Sequence, residues 1–171
     1  SAPKIKIDNT KRYGAEILKR PKRLTSNKAL GEDVYKFAFQ QIKKKLAEES
    51  KTKINLLVLL MANAPTINSS LIDKGIKILK KNKSTDSAVT TSIYNMWSPL
   101  RARKLTKHKT LTPFVPFNVF GNPKTLNCDR DSQGDVFYAD MSASIVRPKC
   151  FNNMKNNLLP QKWMGKKIMP I

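Results

Sequence analysis

The segment INLLVLLM, Ile54 to Met61, constrains the fold more than any other part of the chain. The longest apolar run, Leu56 to Ala62, overlaps it and is far shorter than the roughly 20 residues of a membrane-spanning helix. Such a run predicts a strand buried on both faces, as in a parallel sheet. Before it, Val34, Phe37, Ala38, Ile42 and Leu46 recur at three- and four-residue steps and predict a helix from about Glu32 to Ala47. Glu32 and Asp33 in its first turn and Lys43 to Lys45 near its last suit the helix dipole. After it, the loop Ala62-Asn63-Ala64-Pro65 leads to a second helix, capped by Ser69 or Ser70 and running to about Lys81. Leu71, Ile72, Ile76 and Leu79 form its inward face, and Asp86 to Ser92 (DSAVTTS) follows as a strand. Strand, loop, helix, turn and strand make a βαβ unit of the doubly wound α/β kind.

The flanking segments are less regular. Gly14 suits a helix C-terminus, Ala15 to Leu18 a short strand, and Arg20-Pro21 its end. Residues 94–135 are rich in Pro, Asn, Lys and aromatics without a sustained period. Trp97, Phe114, Phe117 and Phe120 in that stretch need partners, which points to functional loops or a subunit contact. Asp135 to Arg147 reads as a strand, or as two with a bend, and Asn152 to Asn157 as a polar turn or short helix.

The 171 residues fit one domain, 1–171, with an ordinary apolar share. Its 33 Lys and Arg against 12 Asp and Glu give a net charge of +21, a field that attracts polyanions. Yet lysine dominates arginine and is scattered, and no RNA-recognition motif, zinc finger or basic zipper is present. Asn and Ile are abundant too, so compositional drift accounts for the excess more simply than a selected nucleic-acid surface. The first ten residues lack the apolar core of a signal peptide, so a cytoplasmic protein is expected. Cys128 and Cys150 are then free thiols. His108, the single histidine, lies in a polar run, which argues against a zinc site or a Ser-His-Asp triad.

Several strings resemble acylneuraminate cytidylyltransferases. YGAEILKRP at 13–21 and the Glu32-Asp33 helix start look like their early-middle region, and INLLVLLMANAPTI at 54–67 is similar to their central strand and its loop. YNMWSPLRARKL at 94–105, LNCDRDSQGDVFYADMSASIVRP at 126–148 and LLPQKWMGKKI at 158–168 look like one branch of that family. The resemblance implies a Rossmann-like nucleotidyltransferase fold, three-layered with a mostly parallel sheet. It also implies a reaction of CTP with a nine-carbon α-keto acid sugar, a sialic acid or a relative, giving a CMP-sugar and pyrophosphate. Mg²⁺ is the implied cofactor and a homodimer the implied assembly, with Tyr94 to Asp135 reaching the partner. Two departures stand out. The family's N-terminal triphosphate loop and its C-terminal acidic segment have no counterpart here, so an incomplete sheet and little CTP turnover by this chain are expected. Where many members read Gln-Pro-Thr-Ser-Pro, this chain reads Met61 to Pro65 and keeps only the proline.

Candidate site residues follow from chemistry and from that resemblance. Asn63 stands past the carboxyl end of a strand, where α/β sheets bind ligands, though turn-forming is its simpler role. Arg101 and Arg103, if extended, share one face and can grip a phosphate or carboxylate; the alternative is a solvated basic loop. In CDRDSQGD at 128–135, Asp129, Arg130 and Gln133 can read a polyhydroxy substrate, or the segment is an acidic turn. Asp140 occupies the place where the resembled family carries a polar residue near the sugar. Seven positions on, Arg147 falls on the opposite strand face unless a bulge intervenes. Trp163 and Met164 are read as packing residues. The alternative to an enzyme is a noncatalytic relative that binds nucleic acid or another polyanion through its lysines.

Overall fold

The computed structural model describes residues 10–49, 53–127, 129 and 133–171. The chain is a mixed α/β protein that divides into two compact units. The first holds the residues up to Leu57 together with Arg147–Lys166; the second holds Val58–Val146 and Lys167–Ile171.

In the first unit a helical turn at 10–12 ends at Gly14, whose φ of 75° only glycine adopts cheaply. Ala15 to Leu18, expected as a strand, is irregular and exposed. Helix α1, Gly31–Glu49, matches the expected helix but is anchored differently. Its buried residue is Phe39, which is absent from the stripe read from the sequence. Tyr35 and Phe39, one turn apart, meet aromatic partners from the far end of the chain. The Tyr35 ring stands edge-on to Trp163 at 5.5 Å, and Phe39 lies against Phe151 at 5.5 Å. Phe151 sits on the short helix α3, Lys149–Asn152, beside the buried thiol of Cys150. The Asn157 side-chain amide donates to the carbonyls of Cys150 and Lys162, so one residue ties α3 to the turn carrying Trp163 and Met164. Both of these are buried, as packing residues should be.

The second unit is built on a four-stranded sheet in the order β1-β5-β2-β6. Its strands are β1, Leu57–Leu60; β2, Ser87–Ile93; β5, Phe137–Val146; and β6, Ile168–Pro170. A hairpin of β3, Arg103–Leu105, and β4, Leu111–Pro113, forms a separate ladder. Helix α2, Ser69–Lys81, lies on the sheet, and a Cβ at Gly75 would stand 2.5 Å from Ile145 Cδ1. Hydrogen there lets the helix sink against the strand. Asn68, not Ser69 or Ser70, is the N-cap: its side-chain oxygen accepts from the Leu71 N–H at 3.1 Å.

The sheet corrects two expectations. Its longest pairing, β2 with β5, is antiparallel, whereas β2 with β6 is parallel over three residue pairs. The chain returns directly beside Ile93, with the Tyr94 N–H bonded to the Val136 carbonyl, so β5 must run back against β2. A mostly parallel sheet is therefore not what forms. Nor is β1 buried on both faces: it is an edge strand whose burial alternates, leaving Val58 and Leu60 exposed. Core contacts instead come from Leu79, Ala88, Val89, Ala143, Ile145 and Val146.

Candidate functional site

The most organised polar group on the sheet grows from an irregularity in the β2–β5 ladder. Val89 pairs with Ser144 and Thr91 with Ala139, so Thr90 alone stands opposite Asp140 to Ser142 and Ala143. The surplus residues form a bulge, and Met141 turns it with a φ of 58°, a left-handed conformation that methionine rarely adopts. The bulge aims Asp140 at donors on β2. The Thr90 hydroxyl donates to Oδ1, the Ser92 hydroxyl lies 3.4 Å from Oδ2, and the Ser142 N–H reaches Oδ1 at 2.9 Å. Thr90 also accepts from the Ala143 N–H at 3.1 Å.

Partial desolvation acts to raise the Asp140 pKa. The hydrogen bonds from Thr90, Ser142 and Ser92 outweigh it together, and the carboxyl sits below its ordinary value. Asp140 is thus an exposed, fixed carboxylate at neutral pH, suited to accept hydroxyl protons from a ligand.

Asn63 belongs to the loop beside this bulge. The Met61 N–H bonds to the Ser142 carbonyl at 3.0 Å, so the chain leaves β1 next to the bulge and reaches Asn63 two residues later. Asn63 itself is exposed in a turn. The loop of Asn63 thus starts beside the bulge that carries Asp140.

The remaining candidates are placed elsewhere. Arg101 lies in the turn closed by its own N–H to the Ser98 carbonyl at 2.9 Å, while Arg103 opens β3. The extended geometry that would put both on one face is absent. Arg103 Nη1 donates to the carbonyls of Leu100 and Ala102 at 2.7 and 3.1 Å, and its guanidinium stands 5.3 Å from the centre of the Phe117 ring. It forms one wall of a cleft of about 230 Å³ with Leu100, Phe117, Leu126 and Asn127. Asp129, exposed, takes the Asn127 side-chain oxygen on its N–H, and its carbonyl accepts from the half-buried Gln133. Arg130 lies outside the described residues, as do Asp131 and Cys128. Arg147 belongs to the first unit and Asp140 to the second.

Sequence reasoning passed over Thr90, Ser92, Asn95 and the aromatic partners of Trp97. Asn95 accepts from the Val136 N–H at 2.9 Å and its amide approaches Asp135, fixing where β5 starts. Trp97 stacks edge-on between Tyr94 at 4.7 Å and Tyr138 at 4.8 Å. DSAVTTS at 86–92 is readable as a strand, yet only the β5 register reveals which hydroxyls meet the carboxylate.

The described residues do not form a protein cage for Mg²⁺. No three His, Cys, Asp or Glu side chains converge among them. No helix among the described residues is long and apolar enough to cross a membrane. Comparison with protein-family models and with curated proteins finds no match to this chain.

Proposed function

We propose that the chain carries the sugar-recognising portion of a cytidylyltransferase of the acylneuraminate type. In that reaction the anomeric hydroxyl of a nine-carbon α-keto acid sugar attacks the α-phosphorus of CTP, a CMP-sugar forms and pyrophosphate leaves. The observation that carries the reading is the Asp140 carboxylate, held by Thr90 and Ser92 on the bulge beside the carboxyl end of β1. Ligands of α/β sheets bind past strand ends of that kind, and a polyhydroxy sugar needs fixed acceptors. Asp140 orients sugar hydroxyls, Asn63 offers an amide from the adjoining loop, and Arg101 and Arg103 supply the charge that a carboxylate or phosphate requires. Asp129 and Gln133, in the segment before β5, are a separate candidate group for sugar hydroxyls, with Arg130 for the carboxylate.

The Rossmann-like form of the fold is part of this reading; the order β1, α2, β2 supports it, with β5 as an antiparallel insertion. So is a homodimer through Tyr94 to Asp135. That stretch exposes Met96, Trp97, Leu111, Phe114 and Val119, and apolar surface of this kind is what a subunit contact covers.

The test is saturation-transfer NMR and calorimetry with a sialic acid, on the wild-type chain and on Asp140→Asn. Losing a hydrogen bond to a charged group costs about 1.5–3 kcal/mol. The variant should therefore bind roughly ten- to a hundredfold more weakly. Equal affinity in both proteins, or no binding by either, would refute the reading.

A further inference from the structure

We propose that the outer face of α2 is a docking ridge for the phosphodiester backbone of a nucleic acid. Ser70, Lys74, Lys77 and Lys81 follow one another at steps of four, three and four, which puts them on one stripe of the helix. With Ile78 and Asn82 they line a shallow groove of about 440 Å³. The opposite side of the helix holds the buried Gly75 and Leu79, so packing on the sheet turns the lysine stripe to solvent.

The stripe is not neutralised. Ion pairs among the described residues involve Lys44 with Glu48 and Lys45 with Glu16 and Glu49, none of them on α2. Asp73 is the one carboxylate of the helix, and it pairs with none of these lysines. A rise of about 1.5 Å per residue sets Lys74 and Lys81 roughly 10 Å apart along the axis. That is the axial advance of about three nucleotides of a strand.

Phosphodiester fits better than the competing surfaces. A helix that lies on a membrane inserts its apolar face, whereas that face of α2 is already spent on the sheet. A protein partner would need an apolar centre, and Ile78 alone contributes one here. The lysine excess read from composition as scattered is thus concentrated, on this helix, into a regular row. No residue of the Asp140 site lies on α2, so this inference is independent of the sugar-binding reading.

The test measures fluorescence anisotropy of a labelled single strand of about 20 nucleotides, and of its duplex, between about 50 and 200 mM KCl. Two charge-matched variants are compared: K74Q/K77Q/K81Q on the ridge and K104Q/K107Q/K109Q on the β3–β4 hairpin. The ridge variant should lose about 2 from the log–log salt slope on the single strand and nearly 3 on the duplex. The hairpin variant should lose less than about 1, its lysines being outside the contact. Equal losses in the two variants, or parent binding insensitive to salt, would overturn the proposal. Ridge-dependent binding to phosphatidylserine vesicles without a matching effect on either oligonucleotide would also overturn it and assign the ridge to a membrane surface.

Discussion

The hydroxyl of Thr90 joins the two ends of the β5 bulge, donating to the Asp140 carboxylate and accepting the Ala143 N–H at 3.1 Å. One buried side chain on β2 therefore holds both the Asp140 carboxylate and the backbone that turns it outward. Thr90→Val keeps the shape and removes both bonds. It strands a buried N–H, and the expected loss of stability is about 1–3 kcal/mol, read from urea denaturation. Thr90→Ser, which retains the hydroxyl, should recover most of it. A valine variant as stable as the parent would show that the bulge is held by something else.

The depressed pKa of Asp140 gives a signed pH dependence. A carboxyl with a folded pKa below its unfolded value, ordinarily about 3.9, stabilises fully above that value. This contribution fades as pH falls through the folded pKa. The melting-temperature gap between wild type and Asp140→Asn, present near neutrality, should close below about pH 4. A gap that stayed constant or widened on acidification would contradict the assignment.

Gly75 tests the contact between α2 and the sheet. A methyl there would meet Ile145 Cδ1 at 2.5 Å and Ile171 Cδ1 at 2.7 Å. Overpacking typically costs about 1–3 kcal/mol, while alanine regains about 1 kcal/mol of helix propensity. Gly75→Ala should therefore destabilise by up to about 2 kcal/mol. Adding Ile145→Val, which deletes the nearest clashing carbon, should offset part of that loss. Simple additivity of the two changes would mean that the residues do not compete for the same space.

The ion pair of Lys45 with Glu16 is expected to matter little. Its hydrogen bond to Glu16 raises the lysine pKa against the desolvation that lowers it, and Glu49 adds to the rise. Both side chains stand in solvent, where water screens such pairs. Glu16→Gln should leave the melting temperature within experimental scatter, and a shift of several degrees would show that the contact organises the segment after Gly14.

Helix α2 was readable from the sequence because its own periodicity carries it, and strand β2 as the segment that follows its turn. The expected spans, Ser69 or Ser70 to Lys81 and Asp86 to Ser92, differ little from the observed ones. The anchor of α1 was not readable. Phe39 is buried because Phe151 arrives from more than a hundred residues away, and local spacing says nothing of that partner. Strand β6 escaped notice for a related reason. Three residues ending in Pro170 have no alternation to read, and the strand exists because Asp86 and Lys167 exchange bonds that align it with β2. Asp140 was singled out through the resemblance, but its setting depended on a bulge that only the pairing partner defines. The β3–β4 hairpin, with Lys109 at a φ of 60° in its turn, lay in a stretch whose residues showed no period.

Strand β1 spells Leu-Val-Leu-Leu, and among the described residues its only ladder partner is β5. Within its sheet the other rim of β1 has no ladder partner, and an unpaired apolar edge is a template for an extended segment. No lysine, proline or bulge in those four residues blunts the rim, although lysine is plentiful elsewhere. Association that grows with protein concentration is therefore the expected sign of this edge. Dilute handling, or a lysine placed at the outward Val58, is the practical guard against growth from that side.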